Sequence, residues 1–179
     1  MRIFFINLLI VFSLSATAQD DGNDIIRNTG DVLQYAFPIV SIGSTFLYND
    51  PSKPKMQLLK TGLVAAGLTQ SLKLIINKKR PNGGDHAFPS GHTSSAFMGA
   101  AFLERRFGWK VGVPAYILAG FTGWSRVHAN KHDYWDVLAG AIIGTGSAYL
   151  FTKPYMKNVD LNMSLEGNAL SLGLKIQLN

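Results

Sequence analysis

Phe88-Pro89-Ser90-Gly91-His92-Thr93-Ser94-Ser95-Ala96-Phe97 decides how the chain folds. Proline and glycine make a tight entry, Ser90 stands where a helix cap belongs, and a helical pattern runs on to about residue 107. The first N–H groups of a helix have no partner inside it, so such a start suits an anion. Gly91 lets a ligand approach the backbone closely. His92 then stands where a proton donor would face a bound ester. An ordinary capped helix with a surface histidine has the same pattern, so this stretch needs its neighbours.

Working outward, the spacing predicts further helices over about 31–48, 56–79, 111–125 and 134–152, with 92–107 between them. Asn49-Asp50-Pro51 with Lys53-Pro54, the run Arg80-Pro81-Asn82-Gly83-Gly84, and Gly108 supply the breaks. Residues 158–179 switch to period two, with Val159, Leu161, Met163 and Leu165 on one run and Leu170, Leu172, Leu174, Ile176 and Leu178 on the other. Glu166-Gly167-Asn168 between them reads as a turn, giving a β-hairpin. The fold class is therefore all-α: a bundle of about five helices over residues 19–157, with a small hairpin over 158–179. Residues 1–18 read as a signal peptide, with Arg2, an apolar run from Ile3 to Leu14, and Ala16-Thr17-Ala18 as the cleavage site. An uncleaved first helix is the alternative.

The 179 residues suit one domain. Hydrophobic residues make up 47% and charged residues 16%, which excludes a disordered, solvating chain. With no cysteine, a disulfide scaffold, a thiolate zinc site and a cysteine nucleophile are excluded. Seventeen Lys and Arg against eleven Asp and Glu leave a charge of +6, which suits an anionic partner such as phosphate, acidic lipid or nucleic acid. No apolar run reaches the roughly 18 residues of a clear membrane span. Basic residues nevertheless collect on one side: Lys53, Lys55 and Lys60, then Arg105, Arg106 and Lys110, then Lys153 and Lys157. Lys78, Lys79, Arg80 and Arg126 on the other side blur that pattern. The reading favours a membrane bundle in the bacterial cell envelope with its site facing the periplasm, with a soluble periplasmic domain as the alternative.

Two more segments carry chemistry. Lys73 and Arg80 lie seven apart, which on a helix places both cations on one face near its end. Arginine offers a planar fork of donors for phosphate oxygens and lysine a mobile point charge. Lys78 and Lys79 read as an ordinary basic patch. The third segment is Ser125-Arg126-Val127-His128-Ala129-Asn130-Lys131-His132-Asp133-Tyr134-Trp135-Asp136. Arg126 is a further candidate phosphate clamp. His132 and Asp136 are four apart, so the carboxylate can fix the imidazole's tautomer and leave its other nitrogen free to attack. His128 and His132 also have metal-ligand spacing, but Ala129 stands where the zincin motif needs glutamate. Ser90 lacks a nucleophile elbow. His86 reads as a loop residue near the mouth.

Taken together, Lys-x6-Arg-Pro, Pro-Ser-Gly-His and Ser-Arg-x5-His-x3-Asp resemble the type 2 phosphatidic acid phosphatase family, which includes bacterial acid phosphatases and vanadium haloperoxidases. The resemblance covers about residues 56–152. It implies that Lys73, Arg80 and Arg126 bind phosphoryl oxygens, with Ser90 and the Gly91 amide completing the cradle. His132 would be the nucleophile, Asp136 its orienting carboxylate, and His92 the acid that protonates the leaving alcohol. No cofactor, metal or nucleic-acid partner is implied. The substrate would be a phosphorylated lipid, an isoprenoid pyrophosphate or a small ester. A lipid would need an apolar groove, for which Phe88, Phe97, Trp124 and Trp135 are candidates. Vanadate-dependent halide oxidation and a non-catalytic membrane role are the rivals. Three features depart from the family pattern: the short connection 82–88, the residues at His128 and Asp133, and the hairpin.

Overall fold

The computed structural model describes residues 22–47, 50–155, 159–166 and 169–176. Five helices come first: α1 (Gly22–Ser44), α2 (Pro54–Ile76), α3 (Gly91–Phe107), α4 (Trp109–His128) and α5 (Tyr134–Phe151). Strands β1 (Val159–Glu166) and β2 (Ala169–Ile176) pair antiparallel, from Val159 opposite Ile176 to Glu166 opposite Ala169. The expected signal segment, residues 1–18, and the hairpin's Gly167-Asn168 lie outside the described residues.

Two helix boundaries differ from the sequence expectation, each for a local reason. α1 starts at Gly22, not near residue 31, and Asp24 in its first turn pairs with Arg27 at 2.9 Å. An acidic residue there favours the helix start. α2 stops at Ile76, not near residue 79. Asn77 adopts the left-handed conformation (φ 41°) and its N–H closes on the Lys73 carbonyl at 3.1 Å. Arg80 is therefore on the following loop, and the helical-face argument pairing it with Lys73 does not hold.

α3 is the axis of the bundle, and the other four helices all pack on it. Its buried side is small: Ala96, Ala100 and Ala101, with Phe102 and Leu103 filling the lower half. Small residues let the backbones meet. A Cβ added at Gly140 of α5 would stand 2.5 Å from the Ser90 carbonyl oxygen, and one at Gly144 would stand 2.3 Å from that of Ser94. Either contact is too short for a carbon atom, so glycine sets the α3–α5 spacing. At its far end α3 is tied by a buried ion pair, Arg106 Nη2 to Asp50 Oδ2 at 2.7 Å, and by Tyr149 Oη donating to Glu104 at 2.8 Å.

Large apolar side chains face outward. Tyr35 and Ile39 on α1, Leu63 and Ile75 on α2, Ile117 on α4, and Ile142 and Leu150 on α5 are all more than 60% exposed. Among the described residues, no helix is long and apolar enough to cross a membrane.

Candidate active site

The loop from Asn77 to Ser90, the N-terminus of α3, the end of α4 and the start of α5 meet at one end of the bundle. Ser90 caps α3 as its position suggests, its Oγ accepting from the Thr93 N–H at 3.4 Å and the Thr93 hydroxyl at 2.9 Å. The Ser90 N–H donates to the Asp136 carbonyl at 2.9 Å, fastening this turn to α5. After α4 the chain folds back on itself. The N–H groups of Lys131 and His132 both donate to the Arg126 carbonyl, at 3.0 and 3.3 Å.

That reversal delivers His132 to Asp136. Nδ1 of His132 lies 3.6 Å from Oδ2 of Asp136, and the two side chains are 3% and 0% exposed. The separation exceeds a hydrogen bond, and Nδ1 is buried without a partner. Such contacts tighten when substrate binds. The His132 pKa is pushed down from 6.5 to about 4 by burial first, then by the positive charges of Lys73 and Arg80. The Asp136 carboxylate and a backbone hydrogen bond to Ala87 pull the other way. The ring is thus neutral near neutral pH.

Asp136 is held by more than the histidine. Oδ1 accepts from Lys78 Nζ at 2.8 Å, and Oδ2 accepts the Asp133 N–H at 3.0 Å. Asp133 caps α5, accepting the N–H groups of Trp135 and Asp136 at 3.0 Å each, and its other oxygen also accepts from Lys78. Burial opposes the Lys78 charge, but the hydrogen bonds to Asp133 and Asp136 outweigh it and raise its pKa. Lys78 and Asp133 are therefore parts of the site's framework that sequence reasoning missed. It assigned Lys78 to an ordinary basic patch and counted Asp133 only as a departure from the family pattern. The capping spacing Asp-x-x-Asp was the available signal for Asp133.

The cations sit around this couple. Lys73 Nζ donates to the His86 carbonyl at 2.8 Å, while Nδ1 of His86 meets the Lys73 carbonyl at 3.0 Å. His86 thus clasps the loop to the end of α2. Gly91 packs close by; a Cβ added there would lie 3.7 Å from Lys73 Cε. Arg80 donates from Nε to the Asp85 carbonyl at 3.1 Å. No helix intervenes between residues 77 and 90, as the short connection implied. The His128 ring stacks on Trp124 with centroids 5.1 Å apart.

A second group forms on the α1 side. Arg126 is fully buried, its Nη2 donating to the Arg27 carbonyl at 2.6 Å and its Nη1 to Asp31. The same Asp31 oxygen is 2.8 Å from Nε2 of His92. Asp31 lies outside every segment that the motifs pick out.

The expected aromatic groove is not where the residues suggested. Phe97 packs on Tyr116 beside the core, and Trp135 is 71% exposed. Instead, a cavity of about 240 Å³ runs from Lys73 and Gly91 between α2 and α3. A second, apolar cavity of about 440 Å³, whose lining includes Phe46 and Lys55, shares Gly62 and Met98 with it.

A buried imidazole beside a buried carboxylate, the charges of Lys73 and Arg80 acting on it and a capped helix N-terminus next to it make an arrangement that suits a phosphate oxyanion. Comparison with known proteins agrees. Residues 79–160 match the PAP2 superfamily. The lipid A 4'-phosphatase of Helicobacter pylori (strain J99) is 33% identical over 164 residues, covering 84% of this chain and 82% of the relative. The lipid A 1-phosphatase of Porphyromonas gingivalis is 33% identical over 66% of this chain but only 28% of its own length. Two crystal structures share the fold at TM-score 0.60: Aquifex aeolicus LpxE, at 20% identity over 81% of this chain and 93% of the other, and a transmembrane PAP2-type phosphatidylglycerolphosphate phosphatase from Bacillus subtilis, at 22% identity over 84% of each. The chain belongs to the PAP2 superfamily. It is a phosphatase of that type, an enzyme that hydrolyses phosphate esters.

Proposed function

We propose that the chain hydrolyses a phosphorylated lipid, without a metal ion, through a phosphohistidine on His132. The observation that carries the mechanism is the buried, neutral His132 beside Asp136 and among fixed cations. With the imidazole proton on Nδ1, facing Asp136, the other nitrogen leaves the Ala87 carbonyl and attacks phosphorus, the P–O bond to the alcohol breaks, and His92 gives the leaving oxygen its proton. Water then attacks the phosphoryl group, His92 takes the water's proton, and the N–P bond breaks to release phosphate. Lys73, Arg80 and Arg126, with Ser90 and the Gly91 amide, stabilise the charge that builds on the phosphoryl oxygens.

The groove supports a lipid. On α2 the linings of the two adjoining cavities together span Lys73 to Lys55, about 27 Å of helix at 1.5 Å per residue. A small soluble ester has no use for such a length. The outward apolar side chains of α1, α2, α4 and α5 support contact with a membrane. The relatives named for lipid A, for diacylglycerol pyrophosphate and for undecaprenyl diphosphate point the same way.

The test is phosphate release from a long-chain lipid phosphate and from para-nitrophenyl phosphate. His132→Ala should lose more than about a thousandfold on both, and acid quenching of the wild type should trap an acid-labile phosphoenzyme. Wild-type turnover by His132→Ala ends the mechanism. Gly62→Leu tests the groove, because nothing lies within 4 Å of a Cβ placed there and the fold accepts it. It should raise KM for the lipid about tenfold and leave the nitrophenyl ester alone. Equal behaviour of the two substrates would end the lipid assignment.

A further inference from the structure

The reaction needs His92 held in one orientation, and α1 supplies the group that does this. Asp31 Oδ1 lies 2.8 Å from His92 Nε2 and accepts from Arg126 Nη1 as well. One turn earlier on the same helix, the Arg27 carbonyl accepts from Arg126 Nη2. One turn on, the Gln34 carbonyl accepts from Ser95 Oγ, which follows His92 by three residues on α3, at 3.1 Å. Gly30 permits this approach: a Cβ there would stand 2.0 Å from Ser125 Oγ and 2.5 Å from Arg126 Nη2. The helix is thus seated on α3 and α4 at the position that presents Asp31. The family match begins at residue 79, so α1 lies outside it.

We propose that Asp31 is a positioning residue for His92, resting on the phosphohistidine reading above. A carboxylate at Nε2 holds the N–H there. Nδ1 is then the nitrogen that passes its proton to the alcohol oxygen as the P–O bond breaks, and that accepts a proton from the attacking water. Burial, with the charge of Arg126, holds the His92 pKa below its usual value; the Asp31 carboxylate works against that lowering and favours the imidazolium, the form that can act as an acid. The other charged groups facing His92 are Arg126 and Lys131, both positive, so Asp31 supplies the opposing charge. The site then holds two histidine–carboxylate couples, one serving the nucleophile and one the leaving group.

Asp31→Asn keeps an acceptor oxygen for Arg126 and removes the charge. A poor leaving group needs the acid and a nitrophenolate hardly does. The variant should therefore lose about tenfold more kcat on an alkyl phosphate than on para-nitrophenyl phosphate, since a general acid is worth about 10²–10⁴-fold in all. The basic limb of its kcat profile should move to lower pH while the acid limb stays, and Asp31→Glu should restore the basic limb. Equal losses on both substrates with fixed limbs would reduce Asp31 to a structural partner of Arg126 and overturn the proposal. If Asp31→Asn does not fold, nitrogen NMR of histidine-labelled wild type decides. Neutral His92 should carry its proton on Nε2, and a proton on Nδ1 overturns the proposal. Wild-type protein inactive on every ester would instead defeat the phosphatase mechanism itself.

Discussion

The two histidine–carboxylate couples are built differently. His132 and Asp136 are four residues apart, sealed from solvent and 3.6 Å from each other. His92 and Asp31 are 61 residues apart, in hydrogen-bond contact and about one-third exposed. The first is assembled by a chain reversal and a helix cap, with Lys78 gripping the carboxylate from behind. The second exists only because a whole helix docks with glycine at the contact. Local chain geometry secures the His132 couple, and tertiary packing secures the His92 couple.

That contrast can be attacked directly. Asp136→Asn should cost the most, about a thousandfold in kcat, measured as phosphate release; a loss below tenfold would remove the carboxylate from the first couple. The acid limb of kcat/KM comes next. His132 should take up its proton only near pH 4, and a limb at about 6.5 would show that burial and the Lys73 and Arg80 charges do not act on it. The same shift has a sign for stability. Between pH 6.5 and about 4 an unfolded chain binds a proton that folded His132 refuses, so stability falls as pH drops through that window. Urea melts at pH 7 and pH 5 should show the loss.

Gly30→Ala should strain the second couple alone. Overpacking of this kind costs about 1–3 kcal/mol, read as a lowered melting temperature, and the basic limb should shift while the acid limb holds. The smallest effect belongs to Asp133→Ala, about 1 kcal/mol for a lost cap. Movement of the acid limb in that variant would show that the cap also tunes the nucleophile.

The same contrast explains what the sequence disclosed. Ser90 as a cap, the five helices and the His132–Asp136 pair all follow from spacing over a few residues. Lys78 was hidden because its partners lie 55 and 58 residues away. Asp31 was hidden because nothing near it in the chain announces a contact with α3 or α4. Arg80 was misplaced by a three-residue error in where α2 stops, since one left-handed asparagine redirects the chain. The aromatic groove failed because its candidates part company: Phe97 packs on the core side of α3 while Trp135 faces outward.

The ion pair of Arg106 with Asp50 gives α3 a second kind of importance. It clamps the end of the axis remote from the chemistry, with both charges out of water. Random mutagenesis should therefore find damaging changes at both tips of this one helix, with opposite biochemical signatures. Lesions near residue 92 should yield abundant but idle enzyme, whereas lesions near residue 106 should yield scarce protein whose surviving molecules turn over at the normal pace.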